Sequence, residues 1–141
     1  MVAQASLDKT YMNMAEELAL LSYAKRKQVG CLVVRGDEII TNGVNGTLPG
    51  LSNACEYYNY HKEEFVTKEE TLHAEATAIC KLAGSTNSCH GATVYVTLVP
   101  CSRCAVLLAR AKIVRVVYKE HREENGLDLL ELAGISYEQL S

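Results

Sequence analysis

From Asp8 to about Lys25, Tyr11, Met14, Ala15, Leu18, Leu21 and Tyr23 recur at three- to four-residue steps, with Glu16 and Glu17 on the other side. That period predicts an amphipathic helix. Asp8 is placed to cap its N-terminus, and Lys25, Arg26 and Lys27 to complement the negative end of its dipole. Two β-rich runs follow, Cys31 to Val34 and Glu38 to Thr41, split by Arg35-Gly36-Asp37, a triplet that suits an antiparallel hairpin. Cys31 then reads as a small buried hydrophobe. Asn42 to Gly50 holds three glycines, two asparagines and one proline, the composition of a loop that lets a backbone approach a ligand. Residues 51 to 68 show no clear strand. Ala54 to Phe65 is expected to form a short helix rich in tyrosine, serving as a lid or subunit contact, since a structureless loop of that length is unusual.

Thr67-Lys68-Glu69-Glu70 has the form of a capping box. It predicts a helix beginning there, with Leu72, Ala76, Ile79, Cys80 and Ala83 as its buried stripe and Gly84 as its stop. Cys80 and Cys89 read as structural, and His90, in a loop, as a surface residue. Ala92 to Val99 alternates and is β-branched, a central strand closed by Pro100. Cys101 to Ala111 follows as a helix, Ile113 to Tyr118 as a strand, and Leu127 to Ala133 as a helix ended by Gly134. Two strands joined by a helix favour parallel pairing through a right-handed crossover. The order helix, hairpin, helix, strand, helix, strand, helix predicts one domain over residues 1–141, a three-layer α/β fold around a mixed sheet of four or five strands.

The candidate chemistry sits at two helix starts. His73-Ala74-Glu75 is followed, 28 residues after His73, by Cys101 in Pro100-Cys101-Ser102-Arg103-Cys104. One imidazole and two thiolates supply three ligands to Zn²⁺ and leave the fourth tetrahedral position to water, the arrangement of a catalytic rather than a closed structural site. Zinc lowers the pKa of such a water to about 7, and Glu75, not itself a ligand, is free to move protons. On an ideal helix His73 and Glu75 lie about 200° apart. Both meet one ion only if His73 lies in the first turn. The helix start at Cys101 stabilises thiolate, the form that binds zinc.

The totals narrow the reading. No apolar run approaches the ~20 residues of a membrane-spanning helix, and Met1 to Thr10 lacks the pattern of a signal or transit peptide. A cytoplasmic protein is expected, in which Cys-x-x-Cys with a partner histidine favours metal ligation over disulfides. A formal net charge of −3 opposes a basic footprint for duplex nucleic acid or tRNA. Lys25, Arg26 and Lys27 remain either a solvated helix end or a site for one substrate phosphate.

His-x-Glu followed by Pro-Cys-x-x-Cys is the signature of zinc nucleobase deaminases. With His73, Glu75, Pro100, Cys101 and Cys104 in order, residues 8 to 137 resemble the cytidine and deoxycytidylate deaminase superfamily. Gly43-Val44-Asn45-Gly46-Thr47 and Gly126-Leu127-Asp128-Leu129-Leu130 are most similar to deoxycytidylate deaminases. The resemblance implies the α-β-α cytidine deaminase-like fold, one catalytic zinc, and hydrolytic attack at C4 of a cytosine ring. Glu75 would protonate N3 and then the departing amine. The implied reaction is dCMP to dUMP plus ammonia, feeding thymidylate synthesis. The resemblance also implies a homo-oligomer, commonly a hexamer, with dCTP and dTTP as possible effectors. It places Asn45 against sugar or phosphate and Arg122 on phosphate. His121, standing where the family commonly has a tyrosine that helps hold the phosphate, is implied as a further substrate contact, and Thr77 stands where the family usually has asparagine. Some members bind a second, structural zinc; here Lys and Arg replace its paired cysteine, leaving only Cys55 and His61 as candidates. The competing readings are deamination of dCTP, cytidine or guanine, a tRNA adenosine deaminase, and a binding module with purely structural zinc.

Overall fold

The structure is a computed structural model that describes residues 1–141. Helix α1 spans Gln4–Ala19 and buries Asp8, Met12, Ala15 and Ala19. It starts and stops earlier than the sequence pattern predicts, so that Leu21 and Tyr23 lie exposed beyond its end, and its inward face takes in Asp8 and Met12 and leaves Met14 exposed. Asp8 is the reason. It does not cap the helix, whose N-cap is Ala3 without a side-chain bond. Instead its carboxylate accepts from Arg115 on both oxygens, at 2.9 and 2.7 Å, and from the Tyr95 hydroxyl at 2.6 Å, so a charged residue belongs to the inward face. Lys25, Arg26 and Lys27 consequently lie in the loop after α1 rather than at a helix end.

Strands β1 (Gly30–Arg35) and β2 (Glu38–Val44) form the expected antiparallel hairpin, turning at Gly36 with φ of +65°. Strand β2 runs past Thr41 through Val44, so Gly43 is a strand residue, not a loop residue. Residues 51 to 68 differ more. The expected helix is a second hairpin, β3 (Glu56–Asn59) against β4 (Glu64–Thr67), outside the main sheet. Tyr57, Tyr58, Phe65 and Val66 are strand-favouring residues whose cross-strand pairing outweighs any local helical preference. At its tip the Asn59 side chain accepts from the N–H groups of His61 and Lys62, an Asx turn.

Helix α2 is Ala74–Lys81, beginning well after the capping-box segment, because Thr67 is engaged in β4. Its buried residues are Ala74, Glu75, Ala76 and Ala78, while Leu72, Cys80 and Ala83 are exposed. A single 3₁₀ turn ends at Gly84. Then come β5 (Thr93–Leu98), α3 (Ser102–Arg110), β6 (Arg115–Glu120), α4 (Leu127–Leu132) and β7 (Ser136–Gln139). The main sheet runs β2-β1-β5-β6-β7, with β1 antiparallel to both neighbours and β5, β6 and β7 parallel. Strand β7 escapes the sequence pattern because it is a short, mostly exposed edge.

Alternation along the strands separates two cores. Leu32, Val34, Tyr95 and Val117 pack under Met12 and Ala15 of α1. Cys31, Val33, Val94, Val96 and Val116 face Ala74 and Ala78 of α2, Leu108 of α3 and Leu130 of α4. The result is three layers around a mixed five-stranded sheet, as the sequence predicts. No helix is long and apolar enough to cross a membrane.

Candidate active site

Two helix starts meet above the sheet at the ends of β2 and β5. His73 is the N-cap of α2 with extended backbone, φ −70° and ψ 156°, so it lies outside the helical screw and escapes the angular separation from Glu75 that a continuous helix imposes. Its approach is fixed by reciprocal backbone bonds between Gly46 and Leu72, at 3.1 and 2.7 Å, and by Gly43. A Cβ on Gly43 would lie 2.4 Å from the Ala74 carbonyl oxygen and 2.6 Å from Ala78 N, so only glycine lets α2 press this closely on β2. Cys101 is likewise the N-cap of α3, its sulfur accepting from Cys104 N at 3.5 Å. Gly126 donates to the Pro100 carbonyl at 2.8 Å and packs where a Cβ would meet the Cys101 carbonyl oxygen at 2.6 Å.

These restraints bring Nδ1 of His73 within 3.5 Å of the Cys101 sulfur and 3.4 Å of the Cys104 sulfur; all three ligand atoms lie within 4.8 Å of one another. A tetrahedral zinc with bonds of about 2.0 Å to nitrogen and 2.3 Å to sulfur separates those donors by about 3.5 Å. The donor set and its spacing therefore fit that ion. Cys104 is buried, Cys101 half-buried and His73 exposed, so the cluster has an enclosed side and an open one. Hydrogen bonds from Cys104 and then His73 hold the Cys101 thiol down to about 3, while Cys101 and burial push Cys104 up. The Cys101 contact raises His73.

Glu75 is 4% exposed and lines the same cavity as His73 and Cys101. Burial raises its pKa, partly offset by its own backbone N–H and by His73. The cavity has a volume of about 320 Å³. Val29, Leu98 and Val99 supply apolar wall, and Arg26, Lys27 and Arg122 supply cations.

Of the residues singled out in the sequence, His73, Glu75, Cys101, Asn45, Arg26 and Arg122 all border this one cavity, and Cys104 lies buried behind it, against His73. The Asn45 amide accepts from Val29 N at 2.9 Å and donates to the Lys27 carbonyl at 2.8 Å, which ties down the loop that carries Arg26. His121 falls outside the lining, 6.4 Å from the Tyr118 ring and beside Asn125. Cys55 also borders the cavity, its thiol 3.5 Å from the Asn53 carbonyl oxygen, whereas His61 is at the hairpin tip. Cys89 is buried and donates to the Ala111 carbonyl, and His90 is on the surface. Sequence reasoning gave Glu56 and Glu120 no role, and it placed Thr67 at a helix start rather than on the cavity. Glu120 pairs with Lys27 across 93 positions and Glu56 meets the Lys25 N–H across 31, separations at which no local pattern signals a contact.

Residues 5–120 match the cytidine and deoxycytidylate deaminase zinc-binding region. The deoxycytidylate deaminase of Saccharomyces cerevisiae is 32% identical over 96% of this chain, which spans 45% of that protein's length. The deoxycytidylate deaminase of phage T4 is 31% identical over 77% of this chain and 76% of its own. In three dimensions the dCMP deaminase of cyanophage S-TIM5, crystallised with dCMP and dUMP, superposes with a TM-score of 0.88 at 30% identity, covering 99% of this chain and all of the other.

Proposed function

The chain belongs to the cytidine and deoxycytidylate deaminase family, and from that premise we propose that it hydrolyses dCMP to dUMP and ammonia, with one zinc held by His73, Cys101 and Cys104. The observation that carries this reading is a buried carboxyl group, Glu75, beside a three-donor metal cluster in a cavity that also presents three cations. Zinc, when bound, supplies a Lewis acid that acidifies water to near neutrality.

The remaining work belongs to side chains. Val29, Leu98 and Val99 accept the flat pyrimidine and exclude water from its faces. Glu75 takes a proton from the water that adds to C4 and delivers it to N3. It then carries a second proton from the new hydroxyl to the amino group, the C4–N4 bond breaks, ammonia departs and the uracil carbonyl remains. One carboxyl group thus serves as base and acid in turn. Because Glu75 is confined at the start of α2, beside His73, its proton transfers need no large movement.

Arg26 and Arg122 take the 5′-phosphate. Lys27 shares its charge with Glu120, whereas Arg122 spends only Nε on the Glu124 carbonyl and Arg26 only Nη1 on Thr67, so both guanidinium groups retain donors for an anion. Asn45 shapes the wall beside the sugar through its hold on Lys27 and Val29. By family likeness the enzyme forms a homo-oligomer and responds to dCTP and dTTP. Light scattering and initial rates with added triphosphate check those two points.

The decisive assay incubates zinc-loaded protein with dCMP, dCTP, cytidine, cytosine and guanine in parallel and separates the products by chromatography. Conversion of dCMP to dUMP at the highest kcat/KM is expected. Turnover confined to an unphosphorylated substrate would remove Arg26 and Arg122 from their role.

A further inference from the structure

The β3–β4 hairpin stands apart from the main sheet, and the side chains that join its base to the loop after α1 converge on Arg26. Glu56, the first residue of β3, accepts from the backbone N–H of Lys25 and from that of Arg26, each at 2.9 Å. Its register partner in β4 is Thr67, and Nη1 of Arg26 donates to the Thr67 hydroxyl at 3.3 Å. One rung of the hairpin therefore grips Arg26 at both ends, main chain and guanidinium. Glu56 and Thr67 both border the cavity. Lys25, next to Arg26, adds a cation 5.9 Å from the centre of the Phe65 ring.

A carboxylate beside an anion site weakens it unless its charge is spent elsewhere. That condition is met: both Glu56 oxygens face Lys25 N, at 3.2 and 2.9 Å, and one also receives Arg26 N. Glu56 therefore has a task other than touching the substrate. An exposed arginine on a free loop loses backbone and rotamer freedom when it engages a phosphate, and a loop fixed beforehand avoids that cost on binding.

We infer that Glu56 is a positioning residue that sets affinity for a phosphate monoester by fixing Arg26, with Thr67 as its second point of hold. This rests on Arg26 being a phosphate contact, as proposed above. Sequence placed Arg26 at a helix end and gave Glu56 no role; the rung joins them.

Steady-state kinetics on dCMP test the inference, with zinc content measured for every variant. Glu56→Ala is expected to raise KM about ten-fold, the scale of a lost charge-assisted hydrogen-bond pair, with kcat little changed and one zinc per chain retained. Thr67→Val, which keeps the β-branched shape of its strand, should raise KM in the same direction by a smaller factor. The double variant Glu56→Ala/Arg26→Ala should be no worse than Arg26→Ala alone, because a residue acting through another shows no effect once that other is gone. Multiplicative losses in the double variant, or a Glu56→Ala that lowers kcat and zinc content with KM unmoved, would overturn the inference and leave the phosphate role of Arg26 standing. An Arg26→Ala with unchanged KM would instead overturn the phosphate assignment, and the inference with it.

Discussion

His73 and Glu75 are separated by one residue, yet one belongs to extended backbone and the other to helix. That change lets the imidazole join two sulfurs while the carboxyl group stays buried behind it. Glu75→Gln preserves size, burial and one oxygen but cannot cycle a proton. It should retain one zinc per chain by metal analysis while kcat falls by roughly 10²- to 10⁴-fold; undiminished turnover would take the proton-transfer role from Glu75. Cys104→Ala acts differently, since it deletes a buried donor, and a purified variant should carry clearly less than one zinc per chain. At this scale the metal cluster was legible because its members sit in two short motifs. Glu56 and Glu120 were not, because their partners lie 31 and 93 positions away.

Elements hold that cluster through contact at glycine. The close fit of α2 on β2 at Gly43 means that a methyl group there must push the His73 end of the helix off the sheet. Gly43→Ala should cost about 1 to 3 kcal/mol of stability, the usual range for overpacking, measured as a shift in denaturant midpoint at constant slope. Its zinc should also exchange faster to a chelator, and a variant with native stability and native zinc retention would show that the strand yields freely. The central strand, the parallel β5–β6 pair and the helices after each were readable from β-branched runs, from Pro100 before one helix and from Gly134 after the other. The phase of α1 was not, because its inward face includes Asp8, and a pattern of apolar residues cannot assign a buried carboxylate. The tyrosine-rich hairpin was read as helix because its strands are only four residues each, too short for alternation to declare itself. The capping-box segment failed for the converse reason, its threonine being taken by strand pairing.

Across the molecule, Asp8 of α1, Tyr95 of β5 and Arg115 of β6 join the outer helix layer to the centre of the sheet, and Glu138 of β7 adds a second carboxylate to Arg115. Bonding to Arg115, opposed by burial and reinforced by Tyr95 and Gln4, holds the Asp8 carboxyl at about 2, below its ordinary 3.8. The folded value lies below the unfolded one, so the stabilisation is present in full above about pH 4 and is lost as pH falls through 2. The displacement corresponds to roughly 2 kcal/mol. Asp8→Asn should therefore be less stable than the parent at pH 7 by about 2 to 4 kcal/mol, and the gap should narrow between pH 4 and pH 2 in denaturant titrations of both proteins. A gap independent of pH would show that ionisation of Asp8 contributes nothing.

The Asx turn that closes the small hairpin has a counterpart consequence for where this architecture tolerates growth. Everything the rung at Glu56 and Thr67 secures lies at the root of the hairpin, while Tyr60 to Glu63 are exposed at its far end. Extra residues spliced after Lys62 would leave the Asn59 side chain its two N–H partners, lengthen a free overhang and keep the root in register. An epitope or fluorophore carried there leaves the cavity beside His73 and Glu75 undisturbed.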